Sequence, residues 1–289
     1  MKQIRHLKTM QRWALDSKRT SGKVALVPTM GFLHEGHVSL IKRARKSAGA
    51  AGKVIVSIYV NPTQFAANED FSSYPRDLTK DLNICEREGV DVVFMPSDTS
   101  MYPDTTEKEY STYVIESSLS PTMEGKSRPA HFKGVTTVVC KLFMLTLPDM
   151  AVFGAKDYQQ AAIIRRMTSN LNIPVKVIMA PTIREKDGLA MSSRNAYLSK
   201  EERRQAPILI QTLTEAKEIV RSSPDQSIQT TKIQSMLKAR IRTKKLAKLD
   251  YIAFFDPDTL QSLDKVRKGS HMALAVYFGK TRLIDNIRL

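Results

Sequence analysis

Cysteine, tryptophan and histidine are all scarce. The 289 residues hold two cysteines, Cys85 and Cys140, one tryptophan and five histidines. Two thiols in a chain of this size make neither a disulfide framework nor a cysteine-rich zinc module, and they suit a reducing, cytoplasmic compartment. No apolar run reaches the roughly 18 residues of a membrane-spanning helix, so no membrane partner is expected. The opening MKQIRHLKTMQRW lacks the continuous apolar core of a signal peptide. Internal repeats and low-complexity tracts are missing as well. So is the G-x-G-x-x-G phosphate loop. Gly49, Gly52 and Lys53 look faintly like a P-loop, but their spacing is short and they precede a strand rather than follow one.

Acidic residues are the minority charge, 29 against 45 basic ones, for a formal net charge of +16. Such an excess permits nucleic-acid binding. It equally suits an enzyme that handles a polyanionic nucleotide and a carboxylate. The densest basic patch, Lys238, Arg240, Arg242, Lys244, Lys245 and Lys248, contains no acidic residue and reads as a solvated helix face and loop. No aromatic-rich RNA-reading pattern accompanies it, so no nucleic-acid partner is expected. The apolar fraction of 42% is ordinary for a globular protein, and the length allows one large domain or two modest ones.

The residues that carry chemistry gather around VPTMGFLHEGHVSLIKRAR, Val27 to Arg45. Val24 to Val27 is a short apolar run, a buried strand, which Pro28 and Gly31 break. From Val38 the apolar positions Val38, Leu40, Ile41 and Ala44 recur at helical spacing. His34 and His37 therefore fall at the junction of turn and helix. There the first amides lack intrahelical partners and the helix dipole adds partial positive charge. A phosphate suits that end, and two imidazoles beside glycines suit a nucleotide triphosphate. A His-x-x-His pair can also be half of a metal site, but no Cys or acidic partner stands at zinc-like spacing. Two ordinary surface histidines are the remaining plain reading.

Around this stretch the pattern predicts a helix over 4–21 ending at Ser21-Gly22, and strands over 54–60, 90–95, 150–153 and 175–179. Helices fit 78–88, 135–147 and 158–171, and 97–133 is irregular. Alternating strands and helices predict a parallel sheet with helices on both faces. His34 and His37 follow the first strand, Gln64 the second, Lys156 and Asp157 the fourth, and Arg184 the fifth. The carboxyl ends of strands in an open α/β sheet line one crevice, so these motifs are expected to converge there. After about residue 183 the pattern changes. Ser199 and Glu202 form a capping box, a helix fits 227–242, and apolar strands fit 249–255, 272–278 and 281–287. The expected fold is α/β: a Rossmann-like doubly wound parallel sheet in residues 1–182, with a second, smaller α+β C-terminal domain in 183–289.

Six motifs, PTMGFLHEGH, VNPTQF, YPRD, RPAHFKGV, FGAKDYQQ and MSSRN, occur in that order across about 30–195. Through them the chain resembles the pantoate–β-alanine ligases, a family of the His-x-x-His nucleotidyltransferases related more distantly to class I aminoacyl-tRNA synthetases. Three positions depart from the usual pattern. Ala130 stands where glycine is usual, Ala155 where glutamate is frequent, and Ile183 where valine is common. The charged residues are intact, and Ala155 can contribute its backbone alone.

The resemblance implies that ATP, pantoate and β-alanine give pantothenate, AMP and pyrophosphate through an enzyme-bound pantoyl adenylate. It implies Mg²⁺, a homodimer and a C-terminal lid. It implies ATP contacts from Met30, Gly31, Phe32, Leu33, His34, Glu35, Gly36 and His37, from Gly154, Ala155, Lys156 and Asp157, and from Ile183, Met191, Ser192, Ser193 and Arg194. Gln64 and Gln160 are implied to bind pantoate and β-alanine, as are Arg128 and His131 from a flexible flap. His37 is implied as proton donor and Asp81 as a candidate Mg²⁺ ligand. By the residues alone, Gln64 and Gln160 read equally as surface amides, Asp157 as a helix cap, Ser192–Arg194 as a Ser-rich turn, and Asp81 as helix surface.

The chemistry is coherent without the resemblance. A carboxylate is a poor acyl donor, and adenylation gives it a leaving group. No protein nucleophile is required; the site must position two anions and stabilise phosphate charge. His34 and His37 can donate to phosphates, and Lys156 supplies positive charge near the leaving pyrophosphate. Two other functions fit parts of the pattern. A transferase moving a nucleotidyl group onto a phosphorylated alcohol would share the histidine pair, but Gln64, Gln160 and the RPAHF stretch favour a small hydroxy acid. A non-enzymatic RNA-binding protein would explain the charge but not the motifs at successive strand ends.

Overall fold

The computed structural model describes residues 1–20, 22–66, 69–103, 110–223 and 227–289. The helix end expected at Ser21 lies outside them. Six short runs build a sheet: β1 (Lys2–Ile4), β2 (Val24–Thr29), β3 (Lys53–Ile58), β4 (Val92–Phe94), β5 (Met150–Gly154) and β6 (Lys176–Ala180). Their order is β1-β4-β3-β2-β5-β6, and every neighbouring pair is parallel. Val24–Val27 and Val54–Ser57 are buried without alternation, the pattern of strands covered on both faces. The helix Glu35–Ala48 buries Val38, Ile41 and Ala44 in one core with Ala25, Val27, Val54 and Val56.

From β2 the chain steps outward through β3 and β4, then returns to place β5 and β6 on the other side. The sheet therefore has its topological switch point between the carboxyl ends of β2 and β5, where a ligand crevice forms in such folds. β1 is an addition to the expected set. The helix expected from residue 4 begins at Leu7, and Lys2–Ile4 instead pairs with Val92–Phe94 at the sheet edge. Only Ile4 of the three is buried, too little for a periodic signal.

By their contacts the residues form two compact units, 1–155 with 159–181, and 156–158 with 182–289. The second holds an antiparallel sheet, β11-β10-β8. Its strands are β8 (Ala247–Phe255), β10 (His271–Phe278) and β11 (Thr281–Arg288), and a short pair joins β7 (Ser227–Gln229) to β9 (Lys265–Arg267). The helices Ile208–Ser222 and Thr230–Arg242 bury Leu209, Leu213, Ile233 and Leu237 in a core shared with Ile252, Leu274 and Phe278. Ser199 and Glu202 form a capping box. The sequence reading assigns 156–158 to the first domain; their side-chain and backbone partners lie in β10, β11 and the loop after β8, so they group with the second unit. Lys238, Arg240, Arg242, Lys245 and Lys248 are exposed, and Arg240 pairs with Glu215 at 3.3 Å. Among the described residues no helix is long and apolar enough to cross a membrane.

Candidate active site

Beyond β2 the chain turns through Gly31 (φ 83°) and Phe32 (φ 50°) and enters the helix at Glu35. A Cβ on Gly31 would stand 2.9 Å from an Asp81 oxygen, so the turn requires glycine on both conformational and steric grounds. His34 is the helix N-cap. Its Nδ1 accepts from the Gly36 N–H at 3.1 Å, and the His37 Nδ1 accepts from the His34 N–H at 3.3 Å. The two imidazoles thus make a reciprocal capping box. An accepting Nδ1 carries no proton, so each neutral ring bears its proton on Nε2. With ring centroids 4.1 Å apart, the pair sets two Nε2–H donors side by side at the positive end of a helix.

The backbone contributes less here than the sequence suggests. The amides of Phe32, Leu33, His34 and Gly36 all donate to side chains of the protein. A phosphate at this end therefore meets imidazole donors rather than those four amides.

Asp81 is corrected from a place on the helix surface. It is 1% exposed rather than on the helix surface, and each of its oxygens is occupied, Oδ2 by the Phe32 N–H at 2.8 Å and Oδ1 by the Leu33 N–H at 2.7 Å. Burial raises its pKa above the usual carboxylate range, opposed by the two amides. No group of three or more His, Cys, Asp or Glu side chains able to hold a metal occurs among the described residues.

Gln64, 8% exposed, ends a short helical turn, Pro62–Gln64, capped by Asn61. Its Nε2 lies 3.2 Å from the Met30 sulfur, and its Oε1 accepts from Asn61 Nδ2 at 3.2 Å. Arg128 and His131, expected on a flexible flap over pantoate, form a clasp on this turn. The Gln64 carbonyl receives Arg128 Nη2 at 3.2 Å and His131 Nδ1 at 3.0 Å. The Arg128 guanidinium is held by both oxygens of Glu69, at 2.7 and 2.5 Å, and donates to His131 Nε2 at 3.2 Å. That contact makes Nε2 the acceptor and fixes the Nδ1–H tautomer. Burial, helped by the Arg128 charge, pushes the His131 pKa down to about 4. His131 opens the helix His131–Thr146, and Gly134 on it approaches the turn so closely that a Cβ would stand 2.4 Å from the Thr63 oxygen.

The two adjacent glutamines divide their roles. Gln159 is buried and staples Leu119, Thr122 and Glu124. Gln160 is half-buried, and its side chain makes no hydrogen bond among the described residues. At the end of β5, a Cβ on Gly154 would meet nothing within 4 Å.

In the second unit, Lys156 Nζ lies 3.4 Å from Asp157 Oδ1. Ser192 caps the short helical turn Ser193–Tyr197 by accepting from the Arg194 N–H at 3.3 Å. The Met191 N–H donates to the Ile183 carbonyl at 3.0 Å, and Asn195 ties the loop to Glu185 and Ala190. Arg184 does not present an open cation: it forks onto Asp285, at 2.6 and 3.0 Å, and donates to the Gly188 carbonyl. Asn61, Glu69, Asp81, Asp285 and Asn286 escaped the sequence reading as organising residues. Only Asn61 carried a local signal, an N-cap residue before Pro62.

A parallel sheet with a histidine-capped helix at its switch point defines a nucleotide-handling α/β class. Comparison with known proteins narrows it. The family model for pantoate–β-alanine ligase matches residues 2–288. Pantothenate synthetase of Syntrophotalea carbinolica is 46% identical over 98% of this chain and 96% of its own length. That of Heliobacterium modesticaldum is 46% identical over 99% of both. The crystal structure of the Thermus thermophilus enzyme superposes with a TM-score of 0.90 at 38% identity, covering 100% of this chain and 99% of that one. A Francisella tularensis pantoate–β-alanine ligase solved with beta-gamma ATP and β-alanine gives 0.76 at 36% identity, covering 100% and 97%. The chain belongs to the pantoate–β-alanine ligase family.

Proposed function

We propose that the chain makes pantothenate in two half-reactions. A pantoate carboxylate oxygen attacks the α-phosphorus of ATP, the bond to the β-phosphate oxygen breaks, and pyrophosphate leaves. The β-alanine amine then attacks the acyl carbon, the acyl–oxygen bond breaks, the amine gives up a proton and AMP leaves. The observation that carries this reading is the double-imidazole cap past β2 in a chain of this family. Two Nε2–H donors at a helix start act on charge that develops on phosphate oxygens, the kind of preorganised stabilisation on which positioning chemistry depends.

The remaining roles are those the family resemblance implies. Lys156 faces the departing pyrophosphate, and His37 gives its Nε2 proton to a phosphate oxygen as the pyrophosphate leaves. Met30–His37, Gly154–Asp157, Ile183 and Met191–Arg194 contact ATP. Gln64 holds pantoate together with Gln160, whose amide has no hydrogen-bond partner among the described residues. Mg²⁺ enters as the counterion of ATP. We further read the first unit as a Rossmann-like nucleotide domain, the second as a lid, and the working enzyme as a cytoplasmic homodimer. The test is isotopic. With ¹⁸O in the pantoate carboxylate, label appears in AMP once β-alanine is added, because the bridging oxygen leaves with AMP. Pantothenate formed with no label in AMP rules out the acyl adenylate.

A further inference from the structure

Lys156 sits in a three-residue segment that three contacts fasten to β10, β11 and the loop after β8. The Asn286 amide on β11 donates to the Lys156 carbonyl at 2.8 Å. That carbonyl can only accept, which orients the carboxamide and leaves Asn286 Oδ1 to accept from His271 Nε2 on β10, at 2.9 Å. Tyr158 stacks on the His271 ring, 3.9 Å between centroids, and its hydroxyl donates to the Pro257 carbonyl at 2.9 Å. Asn286 and His271 are buried, 8% and 6% exposed. A buried carboxamide with both ends engaged has one orientation, so Asn286 acts as a fixed peg for the Lys156 main chain.

The same strand end holds a second motif. Asp285 Oδ1 accepts from the Asn286 N–H at 2.8 Å and its carboxylate takes the fork of Arg184. Arg184 pairs with Ala190 in the β-bridge that leads into the Met191–Asn195 loop. The segment bearing Lys156 and the loop bearing Ser192 and Arg194 thus hang from two consecutive residues, Asp285 and Asn286.

We propose that Asn286 is a positioning residue for Lys156, setting its backbone, and through it Nζ, for the adenylation step. The proposal rests on the reading of Lys156 as the cation for the leaving pyrophosphate. It assigns no substrate contact to Asn286.

The test is a double-mutant cycle read on each half-reaction. Asn286→Asp keeps the shape and an acceptor for His271 but removes the donor to the Lys156 carbonyl; Asn286→Ala removes both, and thermal unfolding reports whether each variant is folded. Pantoate-dependent exchange of pyrophosphate into ATP is expected to fall about 10- to 100-fold in Asn286→Asp, the scale of an ångström-level misplacement. Conversion of supplied pantoyl adenylate and β-alanine should stay near wild type. In a Lys156→Ala background, Asn286→Asp should subtract nothing more. Equal losses with and without Lys156, or in both half-reactions, overturn the proposal in favour of a general structural role. Wild-type exchange in Asn286→Asp beside a crippled Lys156→Ala overturns the proposal alone. Wild-type exchange in Lys156→Ala overturns the reading of Lys156 beneath it.

Discussion

Asp81 accepts the main-chain N–H groups of Phe32 and Leu33 with its two oxygens, at 2.8 and 2.7 Å, from a helix nearly fifty residues further along the chain. It pins the positive-φ turn immediately before the cap residue His34. In Asp81→Asn one oxygen becomes an NH₂ group facing a donor. The stranded amide costs about 1–3 kcal/mol, so the melting temperature falls and KM for ATP rises. The Mg²⁺ concentration for half-maximal activity stays where it was. Unchanged stability with a shifted Mg²⁺ requirement would return Asp81 to the metal.

The clasp on Gln64 makes its own prediction. A Cβ at position 134 would stand 2.4 Å from the Thr63 oxygen and 2.6 Å from the Gln64 Cα. Gly134→Ala should displace the Gln64 turn and lose about 1–3 kcal/mol of stability by overpacking. Steady-state kinetics should show KM for pantoate raised by roughly tenfold or more, with KM for ATP little changed. Equal changes in both would mean that the turn does not orient pantoate.

His131 should leave a mark on stability against pH. Folded, its imidazole is pushed down to about 4 from the ordinary 6.5. Between those values the unfolded chain binds more protons, so stability present above about 6.5 is lost as pH falls toward 4. His131→Asn removes this proton uptake. Denaturant titrations should show the stability gap between wild type and variant narrowing as pH drops. His271, lowered in the same direction by burial, keeps part of the slope in both proteins.

Lys156→Ala should fold normally and lose about 10²–10³ in turnover, the usual effect of deleting one group that stabilises transition-state charge. Near wild-type turnover in the steady state would take Lys156 out of the mechanism.

What the sequence disclosed depended on whether the signal was local. The strands β2, β3 and β5 are apolar runs closed by turn residues, and the histidine motif lies where a strand gives way to helical spacing, so their placement follows from neighbours in the chain. β1 was missed because a three-residue edge strand has one buried side chain and no period. The helix at Glu35 begins three residues before its apolar pattern, since two imidazoles supply the cap. Asp81, Arg128 and Arg184 hid their structural contacts for another reason. Their partners stand 48, 59 and 101 residues away, and a charged side chain looks solvent-facing or ligand-facing until its long-range partner is known.

The central claim is that pantoate is activated before any amine enters. Reversal of that step returns pyrophosphate to ATP, so labelled pyrophosphate exchange measures it directly. With pantoate, ATP and Mg²⁺ present and β-alanine withheld, label should enter ATP, and omitting pantoate should stop it. Gln64→Ala and Gln160→Ala should weaken the exchange, with high pantoate partly restoring it. Exchange that ignores pantoate, or that requires a phosphorylated alcohol in its place, would contradict the account.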